Sequence, residues 1–524
     1  MAYLPRSLWR KLGACRVRAR EAAEGSSRIS SGGHLEALRP PGLGVFHLWR
    51  QETRSVPECG FGMQRLFEIF GSAGQELYLV GGAVRDHLRG TPLQELTDFD
   101  FATSALPAES ARILRQAGLP VFTVGSRFGT VGTILDGKGI RREIQITTYR
   151  GEVYLNGSRK PRVTFGHDLE ADLARRDFSI NAMAMTADGR LVDPYGGRVD
   201  LSEKLLRTVG DPRTIFREDP LRTLRAARFI ATLGMRPEPE LAEAARELAA
   251  DILMVSRERW LLEMNRLLVG PEVERGLGFL ADTGLLRHLL PEGQAMLEFR
   301  ASQGKYHHKA LWPHTMAVVT QAPPRVPVRW AALFHDAGKV MTRSVDAASD
   351  VHFHGHESAG ADLVDAVARR FRFDRALWER VRTLVLLHQR PALYDGVWTD
   401  AAIRRLIRDA GDALQDLLDL SRADVTSHRP GVRDAVITRL AALERRATEL
   451  IRVEGEGPLL PKGIGRAIMT RLGINEGPRV GEVKACLEQG VLDGLLPRNG
   501  PIEAYLDYLN QFSGRGSQPA SKCP

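Results

Sequence analysis

The chain has 524 residues, of which 43% are hydrophobic and 26% charged, with a formal net charge of +9. At about 150 residues per domain this allows three or four domains, and the apolar content excludes a disordered or disulfide-stapled chain. No run of about 18 apolar residues occurs, which excludes a membrane-spanning helix. The charge is uneven. Residues 1–62 hold ten basic against five acidic residues, a net of +5 that leaves +4 for the rest, so bulk charge is weak evidence for a nucleic-acid partner. Cys15, Cys59, Cys486 and Cys523 form no C-x-x-C pair. That argues against a thiolate zinc site and a disulfide framework and fits a reducing cytoplasm.

In chain order, residues 1–62 are rich in Arg, Gly and Ser without a sustained apolar period. Arg and Ser enrichment fits an organelle address, but five glutamates weaken it; the segment reads as a disordered extension or a misplaced start ahead of Met63, where the amphipathic run MQRLFEIF begins. In LYLVGGAVRDHLRG, Leu77–Val80 reads as a buried strand, Gly81-Gly82 as a turn and Ala83 onward as a helix. Further strands are expected around Asp98–Phe101, Thr130–Leu135 and Arg142–Thr148. From about Leu201 the pattern turns helical, with Leu221, Leu224 and Ala227 sharing a face beside Arg222 and Arg225. Pro323-Pro324, Gly455–Pro458 and Gly477-Pro478 mark joints. The Ser/Gly/Pro-rich end reads as frayed.

Asp98 and Asp100 are two apart on a strand, so both carboxylates point to one face. Side by side they repel unless a cation intervenes, and Mg²⁺ takes such ligands together with substrate phosphates. The upstream glycine turn lets backbone N–H groups approach phosphates, and Arg85 adds a charge-assisted donor. Each feature singly is commonplace. GGAVRD, D-x-D, DLARRDFSINAMAM (172–185), DPYGG (193–197) and EDPLRTLRAARF (218–229) in this order resemble the class II CCA-adding enzymes and poly(A) polymerases, over about residues 75–510.

The resemblance implies an α/β nucleotidyltransferase head with a polymerase-β-like mixed sheet, followed by a mostly α-helical neck, body, HD domain and tail. It implies catalytic Mg²⁺ on Asp98 and Asp100, and nucleotide contacts from Gly82, Arg85, Arg176, Asp219, Arg222 and Arg225, with Asn181 supporting the pocket. An isolated D-x-x-R is most often an intrahelical ion pair, yet at i, i+3 on a helix Asp219 and Arg222 would share a face. An acceptor beside a donor suits the pairing edge of C and A and refuses U and G. Two departures stand out. Gln145 occupies the position of an acidic residue frequent before TT-x-R, with Glu143 a substitute two residues upstream. The mobile loop YLNGSRKP (154–161) has Asn156 where an Asp is common, but is full length, with Arg159, Lys160 and Arg162; a shortened loop would suggest a CC-only enzyme.

Eight of the fourteen histidines fall between His307 and His388. WPHTMAVV, ALFHDAGK, VHFHGHESAGA, LVLLHQRP and LSRADVTS resemble the HD phosphohydrolase superfamily, which implies His314, His335, Asp336 and Asp424 as a metal quartet. His356 and His388 match positions that hold a second metal in some members. Imidazole and carboxylate ligands suit transition metals, Mg²⁺ or Mn²⁺, and the rival reading is a relic HD fold without hydrolysis. In the tail, whose helical spacing runs over 465–496, Arg466, Arg471, Arg479 and Lys484, with Lys462 just ahead of it, are candidates for phosphate contacts.

The expected layout is 1–62 extension, 63–205 head, 206–300 neck and body with the base-recognition helix, 301–430 bacterial-type HD domain, 431–510 tRNA-binding tail and 511–524 disordered. The expected function is Mg²⁺-dependent, template-independent addition of C, C and A to tRNA 3′ ends from CTP and ATP, with an HD domain that hydrolyses phosphoesters, in the cytoplasm and with no membrane partner. The alternatives are a poly(A) polymerase or A-adding enzyme, an HD-type metal-dependent phosphohydrolase, and a non-catalytic tRNA-binding protein.

Overall fold

A computed structural model describes residues 63–123, 129–137, 140–153, 162–166, 168–299, 310–347, 350–426, 431–454 and 458–513. The readings made for residues 1–62, for Arg159 and Lys160 in the 154–161 loop and for the end beyond Ser513 fall outside these residues.

The helix Met63–Ser72 buries Met63, Leu66 and Phe70, the spacing of one helical face. They lie over a mixed sheet built from β1 (Leu77–Val80), β2 (Asp98–Thr103), β3 (Thr130–Gly137), β4 (Ile140–Thr148), β7 (Ala184–Met185) and β8 (Leu191–Val192); β5 (Arg150–Val153) and β6 (Arg162–Phe165) form a separate hairpin. The order is β3-β4-β2-β1-β7-β8. β2 and β4 run parallel, while β1 is antiparallel to both β2 and β7. Alternation along β2 and β4 buries Phe99, Phe101, Ile144 and Ile146 against Leu66 and Phe70. The intervening Asp98, Asp100, Glu143 and Gln145 are exposed on the opposite face.

From Gly197 the chain is mainly helical. One apolar core runs through buried residues from Phe178 to Ala447, so the layers expected as neck and HD domain share it. Trp260 and Trp330 both meet the Phe371 ring, at centroid separations of 5.8 and 5.4 Å. Trp330 Nε1 donates to Asn265 Oδ1 at 2.7 Å, and Arg370 pairs with the buried Glu292 across the same seam. The tail helices Ile464–Leu472, Pro478–Leu492 and Ile502–Ser513 form their own small core around Ile468, Leu487 and Tyr505.

One expectation needs correction. Asp219 is not on the base-recognition helix. It has an extended backbone (φ −140°, ψ 98°) at the end of the helix Pro212–Glu218, and the helix Leu221–Leu233 begins after Pro220. Proline disfavours helical geometry in the residue before it, which breaks the helix at Asp219. Its Oδ1 then accepts the Leu221 N–H at 3.1 Å, one of the donors left open at the new helix start.

Candidate active site and metal centre

The first site lies where β1, β2 and the segment 172–181 meet. Gly81 has φ +71°, a region that favours glycine, and a Cβ there would stand 3.0 Å from Arg176 Nη1 and 3.9 Å from Asp100 Oδ2. The first glycine of the pair is thus the one that lets the turn approach both groups, while Gly82 begins the helix Gly82–Leu88. Parallel pairing sets Asp98 beside Glu143 and Asp100 beside Gln145. Glu143 therefore brings a third carboxylate to that face, in register with the D-x-D pair. Although Asp100 is exposed as a residue, desolvation of its carboxyl raises it above its usual range; Arg176 opposes the shift and Asp98 adds to it.

The arginines are held by a chain of polar contacts. Arg85 Nη1 donates to Asn181 Oδ1 at 2.8 Å and its other nitrogens to Asp86. Asn181 Nδ2 donates to Asp177 Oδ1 at 3.0 Å, and Arg225 Nε to Asp177 Oδ2 at 2.7 Å. Burial alone would raise Asp177, but the Arg225 guanidinium and Asn181 amide hold it down at about 2. Arg225 also meets the buried Glu263. Arg176 lies 3.3 Å from the buried Asp172.

Asp219 and Arg222 do not pair with each other. Arg259 Nη2 stands 2.7 Å from Asp219 Oδ2, and Arg222 reaches Glu218 at 2.9 Å and the Arg175 carbonyl at 2.8 Å. Arg259 reaches both oxygens of Asp219, and with the Leu221 N–H on Oδ1 this leaves acceptor capacity on Oδ2. The fold thus brings Asp98, Asp100, Gly81, Arg176, Asn181, Arg85 and Arg225 into one connected set, and positions Asp219 and Arg222 on either side of Pro220 next to it. Asp177, Arg259 and Glu263 went unassigned in the sequence. Asp177 was within reach, as the acid of Arg175-Arg176-Asp177; no sequence signal marks Arg259 or Glu263.

The second site is built from helix ends. His314 lies on Leu311–Gln321; His335 and Asp336 follow Val326–Phe334; His356 opens His356–Phe371; His388 follows Arg375–Leu387; Asp424 follows Leu414–Ala423. All six meet. His314 Nε2 is 3.4 Å from Asp336 Oδ2 and 3.1 Å from Asp424 Oδ1, and His335 Nε2 is 3.3 and 3.4 Å from the same atoms. Asp336 Oδ1 turns the other way, 3.4 Å from His356 Nε2 and 3.8 Å from His388 Nε2. Asp336 therefore belongs to two ligand groups, one with His314 and His335 and one with His356 and His388.

Three rings are fixed from behind by backbone carbonyls. The Nδ1 atoms of His335, His356 and His388 each lie 2.8 Å from one, on Ala332, Phe353 and Val385. His314 Nδ1 meets Thr426 Oγ1 at 3.0 Å. A carbonyl only accepts, so those rings carry the proton on Nδ1 and aim Nε2 inward, the arrangement of metal-ligating imidazoles. Burial would keep His335 neutral, but Asp336 and Asp424 raise it to about 10; burial lowers His388 to about 4. The carboxylates call for positive charge at the centre, and the nitrogen and oxygen donors suit a divalent ion. Lys339 Nζ adds a 2.7 Å contact to Asp336 Oδ2, a partner its i, i+3 spacing could have revealed. A Cβ on Gly338 would fall 2.0 Å from the His356 carbonyl, so the glycine of HDAGK lets His356–Phe371 pack against the HD pair.

The comparisons with known proteins fall in line with this geometry. Residues 77–207 match the poly A polymerase head domain, 234–297 the probable RNA and SrmB-binding site of polymerase A, and 315–428 the HD domain. An A-adding tRNA nucleotidyltransferase of Deinococcus radiodurans is 36% identical over 429 residues, covering 78% of this chain and 90% of that protein. A multifunctional CCA protein of Pseudomonas paraeruginosa is 37% identical, covering 60% of this chain and 74% of its own. A crystal structure of the Bacillus stearothermophilus CCA-adding enzyme in complex with CTP aligns with a TM-score of 0.60 at 27% identity, over 86% of this chain and 98% of that one.

Fold and sites together define a nucleotidyltransferase head joined to helical RNA-binding and HD regions. The chain belongs to the tRNA nucleotidyltransferase family, the CCA-adding and A-adding enzymes, as a member carrying an HD domain. Head and HD domain both imply divalent metals. Among the described residues no helix is long and apolar enough to cross a membrane.

Proposed function

We propose that this protein is a cytoplasmic enzyme that completes tRNA 3′ ends by adding C, C and A from CTP and ATP without a template. The observation that carries the reading is the exposed face of β2, where Asp98 and Asp100 stand with Glu143 in register and Arg176 packs against the Gly81 turn. Asp98 and Asp100 would hold Mg²⁺, which when bound supplies charge neutralisation at the attacking hydroxyl and the departing pyrophosphate. The Gly81-Gly82 turn, Arg85 and Arg176 would hold phosphates and sugar. Asp219 would accept from the exocyclic amine of C or A and Arg222 would donate to the neighbouring ring nitrogen, with Arg225 beside them. Because Asp219 is extended and Arg222 helical, the two would read the base from either side of Pro220, not as helical neighbours. The tail cations Lys462, Arg466, Arg471, Arg479 and Lys484 would meet tRNA phosphates.

His314, His335, Asp336 and Asp424 would hold a divalent ion, with His356 and His388 available for another. Such an ion acidifies water for attack on a phosphoester, so a hydrolytic activity on RNA ends accompanies the transfer activity.

A second reading has its own support: the Deinococcus relative, matched over 90% of its length, is named an A-adding tRNA nucleotidyltransferase. One experiment separates the two. The protein is incubated with Mg²⁺, a tRNA lacking its last three nucleotides or lacking only the last, and labelled CTP or ATP singly and together. Growth by two with CTP and by three with both is expected. Growth confined to the tRNA ending in CC would establish the A-adding enzyme, long A tracts a poly(A) polymerase, and no growth at all would defeat the assignment of Asp98 and Asp100.

A further inference from the structure

The two halves of the HD cluster differ in what competes with an ion: on the His314 side Lys339 Nζ stands 2.7 Å from Asp336 Oδ2, a carboxylate oxygen with further lone pairs, whereas on the His356 side an imidazole nitrogen itself is engaged. The inward nitrogens of His314 and His335 face the Asp336 and Asp424 carboxylates. In the other half, the side-chain amide of Gln389 sits 3.2 Å from His356 Nε2. His356 Nδ1 is bound to the Phe353 carbonyl at 2.8 Å and so carries its ring's proton, leaving a lone pair on Nε2 for the Gln389 N–H to enter. That lone pair is the one an ion between Asp336, His356 and His388 would need. Gln389 directly follows His388 at the end of Arg375–Leu387, so one turn of chain presents a ligand and, beside it, a competitor for the neighbouring ligand. Gln389 is half-buried.

We propose that Gln389 sets the metal content of the HD cluster: it keeps His356 occupied, so that His314, His335, Asp336 and Asp424 fill with one divalent ion while the half formed by Asp336, His356 and His388 fills only when Gln389 turns away. This rests on the reading of the cluster as a metal centre. Gln389 is a positioning residue here, with no contact to substrate required.

The test is titration of Mn²⁺ into metal-free full-length protein by calorimetry, with electron paramagnetic resonance to detect two coupled ions; every form compared carries Asp98→Asn and Asp100→Asn, which removes the head's own metal ligands, and wild type here means Gln389 unchanged in that background. Wild type is expected to bind one ion tightly and a second weakly. Gln389→Ala frees the lone pair and should tighten the second ion about tenfold, the worth of one hydrogen bond at about 1.4 kcal/mol per decade, with a coupled-pair signal at lower Mn²⁺. Gln389→Glu keeps the shape, cannot donate, and adds an anionic oxygen; it should tighten the second ion further, which covers the case of a poorly folding alanine variant. Identical isotherms in wild type and both variants would overturn the proposal while leaving the metal centre standing. No Mn²⁺ binding in any of the three would overturn both.

Discussion

Asp98 and Asp100 stand on a strand, exposed, with their hydrophobic neighbours turned inward. Asp336 is buried, ringed by four imidazoles whose backs are tied by a hydroxyl or by backbone carbonyls. On the function proposed above, the head would offer part of a coordination shell and leave the rest to nucleotide phosphates and water, as Mg²⁺ prefers. The HD cluster would assemble most of a shell from protein. An open strand site would be completed by its substrate; a caged helix-end site would be nearly complete before substrate arrives.

That contrast can be broken most forcefully at the carboxylates. Asp98→Asn together with Asp100→Asn should lower nucleotide addition by about a thousandfold or more, since several kcal/mol of charge stabilisation are removed. Bound metal in the HD cluster, read by mass spectrometry, should not change. The mirror experiment is His335→Ala, which should lower tightly bound divalent metal on the order of a hundredfold and leave nucleotide addition intact. If either variant affected both readouts, the two regions would not be separate sites.

Asp177 sharpens the comparison because it is a buried charge that needs no metal. Its carboxyl is lowered from 3.8 to about 2, so the ion pair with Arg225 contributes fully above about pH 4 and is lost as pH falls toward 2. Two pK units correspond to about 2–3 kcal/mol. In thermal melts between pH 5 and 2, wild type should lose this increment and Asp177→Asn, already lacking it, should not. Parallel slopes would remove Asp177 from its place as the hub. The smallest effect is expected at Arg259→Ala. The pair with Asp219 is half exposed on the arginine side, where such bridges are worth about 0–1 kcal/mol. Stability should hardly move, while discrimination between CTP and UTP, read by misincorporation, should weaken as the Asp219 carboxylate loses its anchor.

Much of this was legible in the chain. The two-residue period of DFDF put both acids on one face, and the six HD positions, scattered from His314 to Asp424, converged as their motifs implied. What the sequence hid follows from distance and from proline. Periodicity treats 218–229 as one helix; Pro220 splits it and turns Asp219 toward Arg259, 40 residues away. Glu263 and Gln389 act on groups 38 and 33 residues distant, and nothing in local pattern connects such pairs. Gly338 was readable as part of a motif, but its reason, the His356 carbonyl passing where a side chain would be, is visible only in three dimensions.

The core shared from Phe178 to Ala447 bears on how such a chain can change over generations. Phe371, borne by the helix that opens at His356, packs on Trp260, and Trp330, on the helix that ends just before His335, packs on Phe371 in turn. A lineage that stopped needing phosphoester hydrolysis would be free to lose His335 or Asp424 one codon at a time, but not to delete the helices that carry them. Inheritance of the HD scaffold is thereby uncoupled from inheritance of its chemistry, and a silent cluster on an intact frame is the form such a loss would take.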